Sequence, residues 1–172
     1  MGYYAFLEVS NGETLRILRP DGIIAGKTLL NFENIYNGFG KYLDEESQEH
    51  QWFSKLESLA KTEISILKNV MYPGEWDYGE HEYARFKQDF SSSGLISEED
   101  FQKSVRAVNN MWQPIDKMIL VVQDLLRIFP EMGENETYWF WPNDTPIEFQ
   151  GLLNTLLLAK ERGGDEVRIR VY

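Results

Sequence analysis

Apolar and polar residues alternate near the start of the chain, which is the pattern of a β-strand with one buried face. From Tyr3 to Val9 the odd-numbered residues share one face and the even-numbered residues share the other. Asn11-Gly12 follows, and both residue types tolerate the positive φ angles of a tight hairpin turn. The pattern therefore predicts a β-hairpin whose return strand covers residues 15–18.

The same alternation returns near the end of the sequence. Between Glu166 and Tyr172, aliphatic residues alternate with Arg168 and Arg170. If this strand pairs with the first strand of the hairpin, Glu8 becomes a natural cross-strand partner for either arginine.

Between these strands the apolar residues recur at steps of three and four, which predicts helices. The longest such stripe runs from Trp52 to Met71 and predicts one long helix. Asp44 is a candidate cap for its start, and Pro73-Gly74 is expected to end it.

Capping residues and prolines set the bounds of the other predicted helices. Pro114 lacks an amide donor and disfavours helical geometry just before it, so it separates two helices. Thr145-Pro146-Ile147-Glu148 combines a threonine cap, a first-turn proline and a glutamate three residues after the cap. Gly163-Gly164 is expected to stop the last helix near Arg162. The four further helices cover about 80–90, 97–113, 114–129 and 145–162.

Strands at the two ends and helices in the middle are typical of an α+β fold. We therefore predict a small antiparallel sheet, built from the N-terminal hairpin and the C-terminal strand, packed against about five helices. The length favours a single domain over residues 1–172.

Composition narrows the classes of function. There is no cysteine, which excludes disulfides, thiolate nucleophiles, zinc fingers and iron–sulfur clusters. The 28 acidic and 17 basic side chains leave a net charge of −11, which disfavours nucleic acid and anionic membranes as partners. No apolar run reaches the roughly 18 residues of a membrane span, and no signal peptide is recognisable, so a cytoplasmic location is expected.

Two segments imitate nucleotide-binding motifs. Gly22 to Thr28 resembles a phosphate loop, but the spacing is one residue short and Asp21 stands where the first glycine belongs. Ile119 to Val122 followed by Asp124 imitates the strand that carries a magnesium-binding aspartate, although its apolar spacing is helical. An ordinary turn at a strand end is the favoured interpretation of the first segment.

A third segment imitates a zinc-protease helix. His81-Glu82 begins the motif, but the second histidine that a metal requires is replaced by Arg85. A mixed site of His81, Glu80, Glu82 and His50 would suit manganese or iron, although nothing in the sequence brings the two histidines together. We therefore predict no cofactor, and an enzyme is the less favoured class.

Two acidic segments also carry aromatic residues. Residues 75–82 contain four acids and two aromatics without any lysine or arginine. Residues 128–159 also contain no lysine or arginine, and they include five acids together with several aromatics. Aromatic rings can fill pockets on a partner while carboxylates meet its arginines and lysines. The alternative is that the rings pack in the core and the acids only solvate loops. The candidate partner-binding residues are Glu75, Trp76, Asp77, Tyr78, Glu80, Glu82, Glu136, Trp139 and Trp141.

These features favour a non-catalytic acidic protein that binds a basic protein partner. In size, charge and fold class the chain resembles bacterial immunity proteins, although it matches no motif of such a family. That resemblance implies inhibition of a toxin by covering its basic active site. Two alternatives stay open: a carboxylate- or metal-dependent hydrolase centred on His81, and a small-ligand module with an aromatic-lined pocket.

Overall fold

A computed structural model of the protein describes residues 4–23, 25, 26, 29, 48–73, 112–132 and 144–171. These residues form five strands, four α-helices and one 3-10 turn. In chain order they are β1 Ala5–Val9, β2 Thr14–Arg16, α1 Gln48–Leu59, α2 Ile66–Val70, β3 Met71–Pro73, β4 Gln113–Pro114, α3 Ile115–Ile128, the 3-10 turn Phe129–Glu131, α4 Asp144–Glu161 and β5 Glu166–Val171.

The five strands form one sheet with β5 near its centre. The order is β2-β1-β5-β3, and β4 also pairs with β5. Strands β1 and β2 form the expected hairpin, and β5 pairs antiparallel with β1 so that Glu8 lies opposite Arg168. The prediction that the hairpin and the C-terminal strand share an antiparallel sheet is therefore confirmed.

The sheet is not entirely antiparallel, because β3 runs parallel to β5. Met71 pairs with Ile169 and Tyr72 pairs with Arg170. The sequence pattern assigned Met71 to a helix, and that assignment is wrong. A strand of three residues is too short to show an alternating pattern, so only its pairing with β5 identifies it.

The hairpin turn differs from the two-residue turn that Asn11-Gly12 suggested. The Val9 amide donates to the Glu13 carbonyl, and the Gly12 amide donates to the Val9 carbonyl, both at 2.9 Å. Within this loop only Gly12 has a positive φ, at 94°. This is the three-residue loop in which a single glycine occupies the left-handed position.

The helical prediction for residues 52–71 is wrong in its centre. Helix α1 ends at Leu59, and the chain turns before α2 begins at Ile66. A residue of another helix stabilises this turn, because the backbone amides of Lys61 and Thr62 donate to the carboxylate of Asp124 on α3. An apolar step of three or four residues continues through this turn, so the local pattern alone does not reveal the break.

The predicted bounds of α3 and α4 are close to those observed. Helix α3 begins directly after Pro114, and α4 ends before Gly163, which has a φ of 83°. Thr145 is not the cap of α4, however, because the helix begins at Asp144. Thr145 is fully buried, and its hydroxyl has no hydrogen-bond partner among the described residues.

The count of about five helices is not reached in the part of the chain that the structure describes. It contains three helices longer than ten residues and the short helix α2. The predicted helix over 80–90 lies outside the described residues, as does that over 97–113 except at its end, where Gln113 belongs to β4. None of the described helices is both long and apolar enough to cross a membrane.

The core lies between the inner face of the sheet and helices α3 and α4. The residues that β1 and β5 contribute to it are fully or almost fully buried: Ala5, Leu7, Val9, Val167, Ile169 and Val171. Phe129, in the 3-10 turn directly after α3, packs its ring edge to face against that of Phe149 on α4, with the centroids 5.1 Å apart. This packing leaves the even-numbered residues of β1 and β5 on the opposite, outer face of the sheet.

Candidate binding surface on the outer face of the sheet

The outer face of the sheet combines arginines with aromatic rings. Cross-strand pairing aligns Arg16 of β2, Phe6 of β1 and Arg170 of β5 in one row. A second row brings Glu8 opposite Arg168. We call this surface the outer sheet face, and its residues are Tyr4, Phe6, Glu8, Arg16, Trp112, Arg168 and Arg170.

Glu8 connects the two arginines of β5. Its carboxylate accepts a hydrogen bond from Nε of Arg168 and lies 3.4 Å from Nη1 of Arg170. Glu8 is only 8% exposed, so these ion pairs are screened less by water than a surface pair would be. The predicted pairing of Glu8 with an arginine of the last strand is confirmed, and it involves both arginines.

Each arginine of the outer sheet face also lies over an aromatic ring. The guanidinium carbon of Arg168 is 4.8 Å from the centroid of Trp112. The corresponding distances are 5.2 Å from Arg16 to Tyr4 and 5.4 Å from Arg170 to Phe6. These are cation–π distances, so each guanidinium group is attracted to the ring beside it.

An open depression of about 430 Å³ lies on this face. It is lined by Tyr4, Phe6, Arg16 and Arg170. Arg16 is exposed and forms no ion pair with any described residue. A guanidinium group beside aromatic rings can bind a carboxylate or a flat polar group, because it offers several donors in one plane.

Replacing Glu8 by glutamine is expected to lower the free energy of unfolding by about 1–2 kcal/mol, since two half-buried arginines lose their carboxylate. Urea unfolding measures this change. Glu13→Gln is the matched control, because Glu13 pairs with Arg162 in an exposed position and should matter by less than about 0.5 kcal/mol. Equal effects of the two substitutions would contradict the energetic role of Glu8.

Asp124 is a buried carboxylate whose contacts define a structural role. One oxygen accepts hydrogen bonds from the amides of Lys61 and Thr62 at 2.7 and 2.9 Å, and from the Thr62 hydroxyl at 2.9 Å. The other oxygen accepts two hydrogen bonds from Arg127. Burial acts to raise the pKa of Asp124, but the bonds from Arg127, Thr62 and Lys61 together hold that pKa below its ordinary value.

Contacts of described residues also bear on the two nucleotide-like segments. Asp124 lies on a helix and binds backbone amides, so it does not end a strand as a magnesium-binding aspartate would. In the first segment, the amide of Gly26 donates to the buried carboxylate of Glu148 at 3.3 Å. The Gly26 amide therefore faces a carboxylate of this chain, and Gly22 closes an ordinary turn by donating to the Arg19 carbonyl.

The alternative hydrolase was predicted from residues around His81. His81, Glu80 and Glu82 are outside the described residues, and nothing is described of the His50 side chain. Within the described residues there is no group of three or more histidines, aspartates and glutamates that could hold a metal ion. The metal-dependent hydrolase therefore stays a hypothesis from the sequence.

The predicted partner-binding residues also lie outside the described residues. This applies to Glu75, Trp76, Asp77, Tyr78, Glu80, Glu82, Glu136, Trp139 and Trp141. Sequence reasoning did not anticipate the outer sheet face as a surface, although it placed the even-numbered residues of the first strand on one face. The overlooked signal was that Arg168 and Arg170 share one face of β5 and that Arg16 lies in the return strand of the hairpin.

Comparison with known proteins supplies no relative from which a function can be carried over. No family model matches the chain, and neither a curated protein nor a solved structure matches it. Function must therefore be inferred from the residues and contacts of this chain.

Proposed function

We propose that this protein is a non-catalytic interaction protein that binds a basic protein partner, in the manner of an immunity-type inhibitor of a bacterial toxin. The observation that supports the proposal is the distribution of charge. Acidic side chains exceed basic ones by eleven, so many carboxylates have no cation of this chain to neutralise them.

The described basic side chains are largely engaged within the protein. Seven of them form ion pairs with its own carboxylates: Arg19, Lys117, Arg127, Lys160, Arg162, Arg168 and Arg170. In contrast, several exposed acids have no ion-pair partner among the described residues, namely Glu57, Glu131, Glu161, Asp165 and Glu166. Negative charge that this chain does not neutralise is therefore exposed to solvent, where it attracts a basic partner and accelerates association.

The contact residues belong, in this proposal, to the two acidic and aromatic segments. Trp76, Tyr78, Trp139 and Trp141 would fill pockets on the partner. The acids around them would meet lysines and arginines, as complementary charges across an interface do. No catalytic group is required for such a role, because masking an active site inhibits a toxin without any chemistry.

Affinity capture from the source cell, followed by kinetic measurement with the recovered partner, tests the proposal. Association is expected to slow by about tenfold or more when salt is raised from low to high concentration, because long-range attraction is screened. Recovery of no basic protein at low salt, or association that does not depend on salt, would contradict the proposal.

Two charge-matched variants locate the contact. The first carries Glu75→Gln, Asp77→Asn, Glu80→Gln and Glu82→Gln, and the control carries Glu57→Gln, Glu131→Gln, Glu161→Gln and Asp165→Asn. Both remove four negative charges, so the two variants have the same net charge. Only the first is expected to accelerate dissociation of the complex, and equal dissociation rates would show that the contact lies elsewhere.

A further inference from the structure

Strand β2 is an edge of the sheet in the part of the chain that the structure describes, and its outward hydrogen-bonding groups have no partner there. The Ile17 amide donates to the Ala5 carbonyl, and the Val9 amide donates to the Glu13 carbonyl, so odd-numbered residues of the return strand bond to β1. The N–H and C=O groups of Thr14 and Arg16 therefore point away from β1. Both residues are exposed, and no described residue bonds to their outward groups.

The open part of this edge is short and well delimited. At one end, Gly12 closes the hairpin loop. At the other end, the chain turns back through Pro20–Gly22, and the Ala25 amide donates to the Ile17 carbonyl at 3.2 Å. Residues 14–16 lie between these two turns, and among the described residues none pairs with their outward edge, so a strand of a few residues could be added there.

A depression lies on each side of the open edge. On the outer sheet face is the depression of about 430 Å³ that Arg16 shares with Tyr4, Phe6 and Arg170. On the helix side is an open depression of about 280 Å³, lined by Leu15, Arg16, Leu18, Asn154, Thr155, Leu158 and Arg162. Side chains of a β-strand point alternately to the two sides, so an added strand would place every second side chain in each depression.

The chemistry of the two depressions differs. On the outer side, Arg16 has no carboxylate partner among the described residues. The two acids of the hairpin between Ala5 and Arg16 are paired with other arginines, since Glu8 pairs with Arg168 and Glu13 with Arg162. On the helix side, Leu18 and Leu158 are 42% and 38% exposed and offer apolar surface.

We propose that the open edge of β2 binds an extended segment of a partner protein as an additional β-strand. The segment carries acidic side chains on the outer side, where they meet Arg16, and aliphatic side chains on the helix side, where they contact Leu18 and Leu158. A second copy of this chain is a poor occupant, because two molecules with a net charge of −11 repel each other. The edge shares no residue with the acidic segments of the proposed function, so the two proposals stand or fall separately.

Fluorescence anisotropy with two synthetic peptides of about eight residues tests the proposal on the full-length protein. One peptide alternates Glu with Val, and the other alternates Lys with Val. We expect the Glu-Val peptide to bind about tenfold more tightly at physiological salt, although the net charge of the protein favours the Lys-Val peptide. Equal affinity, a preference for the Lys-Val peptide, or no binding of either would overturn the proposal.

Backbone methylation of the peptide tests strand addition without changing the protein. Methyl groups on the amides that face β2 are expected to abolish binding, whereas methyl groups on the alternate amides should leave it nearly unchanged. Binding that is insensitive to the position of the methyl groups would show that the peptide does not join the sheet.

Substitutions at Arg16 separate the contribution of its backbone amide from that of its guanidinium group. Arg16→Pro removes the outward amide and spares the bonds to β1, so affinity should fall at least about tenfold. Arg16→Gln keeps the amide and should remove only the preference for Glu-Val. Lys117→Gln is the control. Lys117 lines neither depression, so this substitution should change neither the affinity for the peptide nor the preference for Glu-Val.

Sedimentation of the free protein completes the test, because a dimer that Arg16→Pro dissociates would identify a second copy of the chain as the occupant.

Discussion

Replacement of Asp124 by alanine is expected to lower the free energy of unfolding by about 4 kcal/mol. The substitution leaves the amides of Lys61 and Thr62 without their acceptor and removes the carboxylate that pairs with Arg127. Asp124 itself is 7% exposed, so water replaces these bonds poorly. The midpoint of urea unfolding, at constant slope, measures the loss.

Asp124→Asn should cost less, about 1–2 kcal/mol, because its remaining oxygen can still accept from the two amides while Arg127 turns toward solvent. Gln123→Ala, an exposed change on the same helix, is the control and should stay within about 0.5 kcal/mol. If Asp124→Ala and Asp124→Asn both changed the free energy of unfolding as little as the control, Asp124 would not be the residue that stabilises the turn after Leu59.

The effect of Asp124 should depend on pH. Its pKa is lowered in the folded protein, whereas in the unfolded chain it has its ordinary value of about 3.9. The carboxylate therefore stabilises the fold fully above that ordinary value, and the contribution is lost as pH falls through the lowered pKa. The difference in stability between the wild type and Asp124→Asn should be constant near neutral pH and should shrink below about pH 4.

Replacement of Gly151 by alanine is the second large expected effect, a loss of about 2–3 kcal/mol. Gly151 lies on α4, where the helix passes directly against the chain that follows β2. A Cβ atom at this position would be 2.2 Å from the carbonyl oxygen of Leu18 and 3.1 Å from the Cα of Arg19. Both contacts are with backbone, so the helix and the turn must move apart. Thermal and urea unfolding of the purified variant measure the loss.

An exposed position on the same helix provides the control for Gly151. In an unobstructed helix, replacing glycine by alanine stabilises the protein by about 1 kcal/mol. We expect Gly151→Ala to do the opposite and lower the free energy of unfolding. Asn154→Ala, one turn later and exposed, should be close to neutral. A stabilising Gly151→Ala would show that α4 does not approach Leu18 as closely as the structure places it.

The parts of the fold that the sequence predicted have local causes. Alternation identified β1 and β5, because in each strand aliphatic residues on the core face alternate along the chain with larger aromatic or charged residues on the outer face. The start of α3 was predictable from Pro114 and the end of α4 from Gly163, since a missing amide and a left-handed backbone are properties of single residues.

The parts that the sequence did not predict depend on residues far apart in the chain. The turn after Leu59 contains no proline or glycine, and it exists because Asp124, more than sixty positions away, binds its amides. Strands β3 and β4 are three and two residues long, too short for any period. Each needs β5 beside it to be recognised as a strand.

The two candidate surfaces also differ in whether the sequence alone could reveal them. The outer sheet face requires the register of three strands, because only that register brings Arg16, Phe6 and Arg170 into one row. The acidic and aromatic segments were found from composition alone, and whether they contact a partner stays a prediction, since they lie outside the described residues.

The central place of β5 has a consequence for how the molecule folds. Glu8 and Arg168 are paired although 160 positions separate them along the chain. During synthesis, the β1–β2 hairpin is therefore complete long before the ribosome has made the strand that covers its other edge. Pairings over such distances raise the contact order and slow folding, so we expect this chain to fold in the slower range for its size and to benefit from a chaperone that shields β1 until β5 arrives.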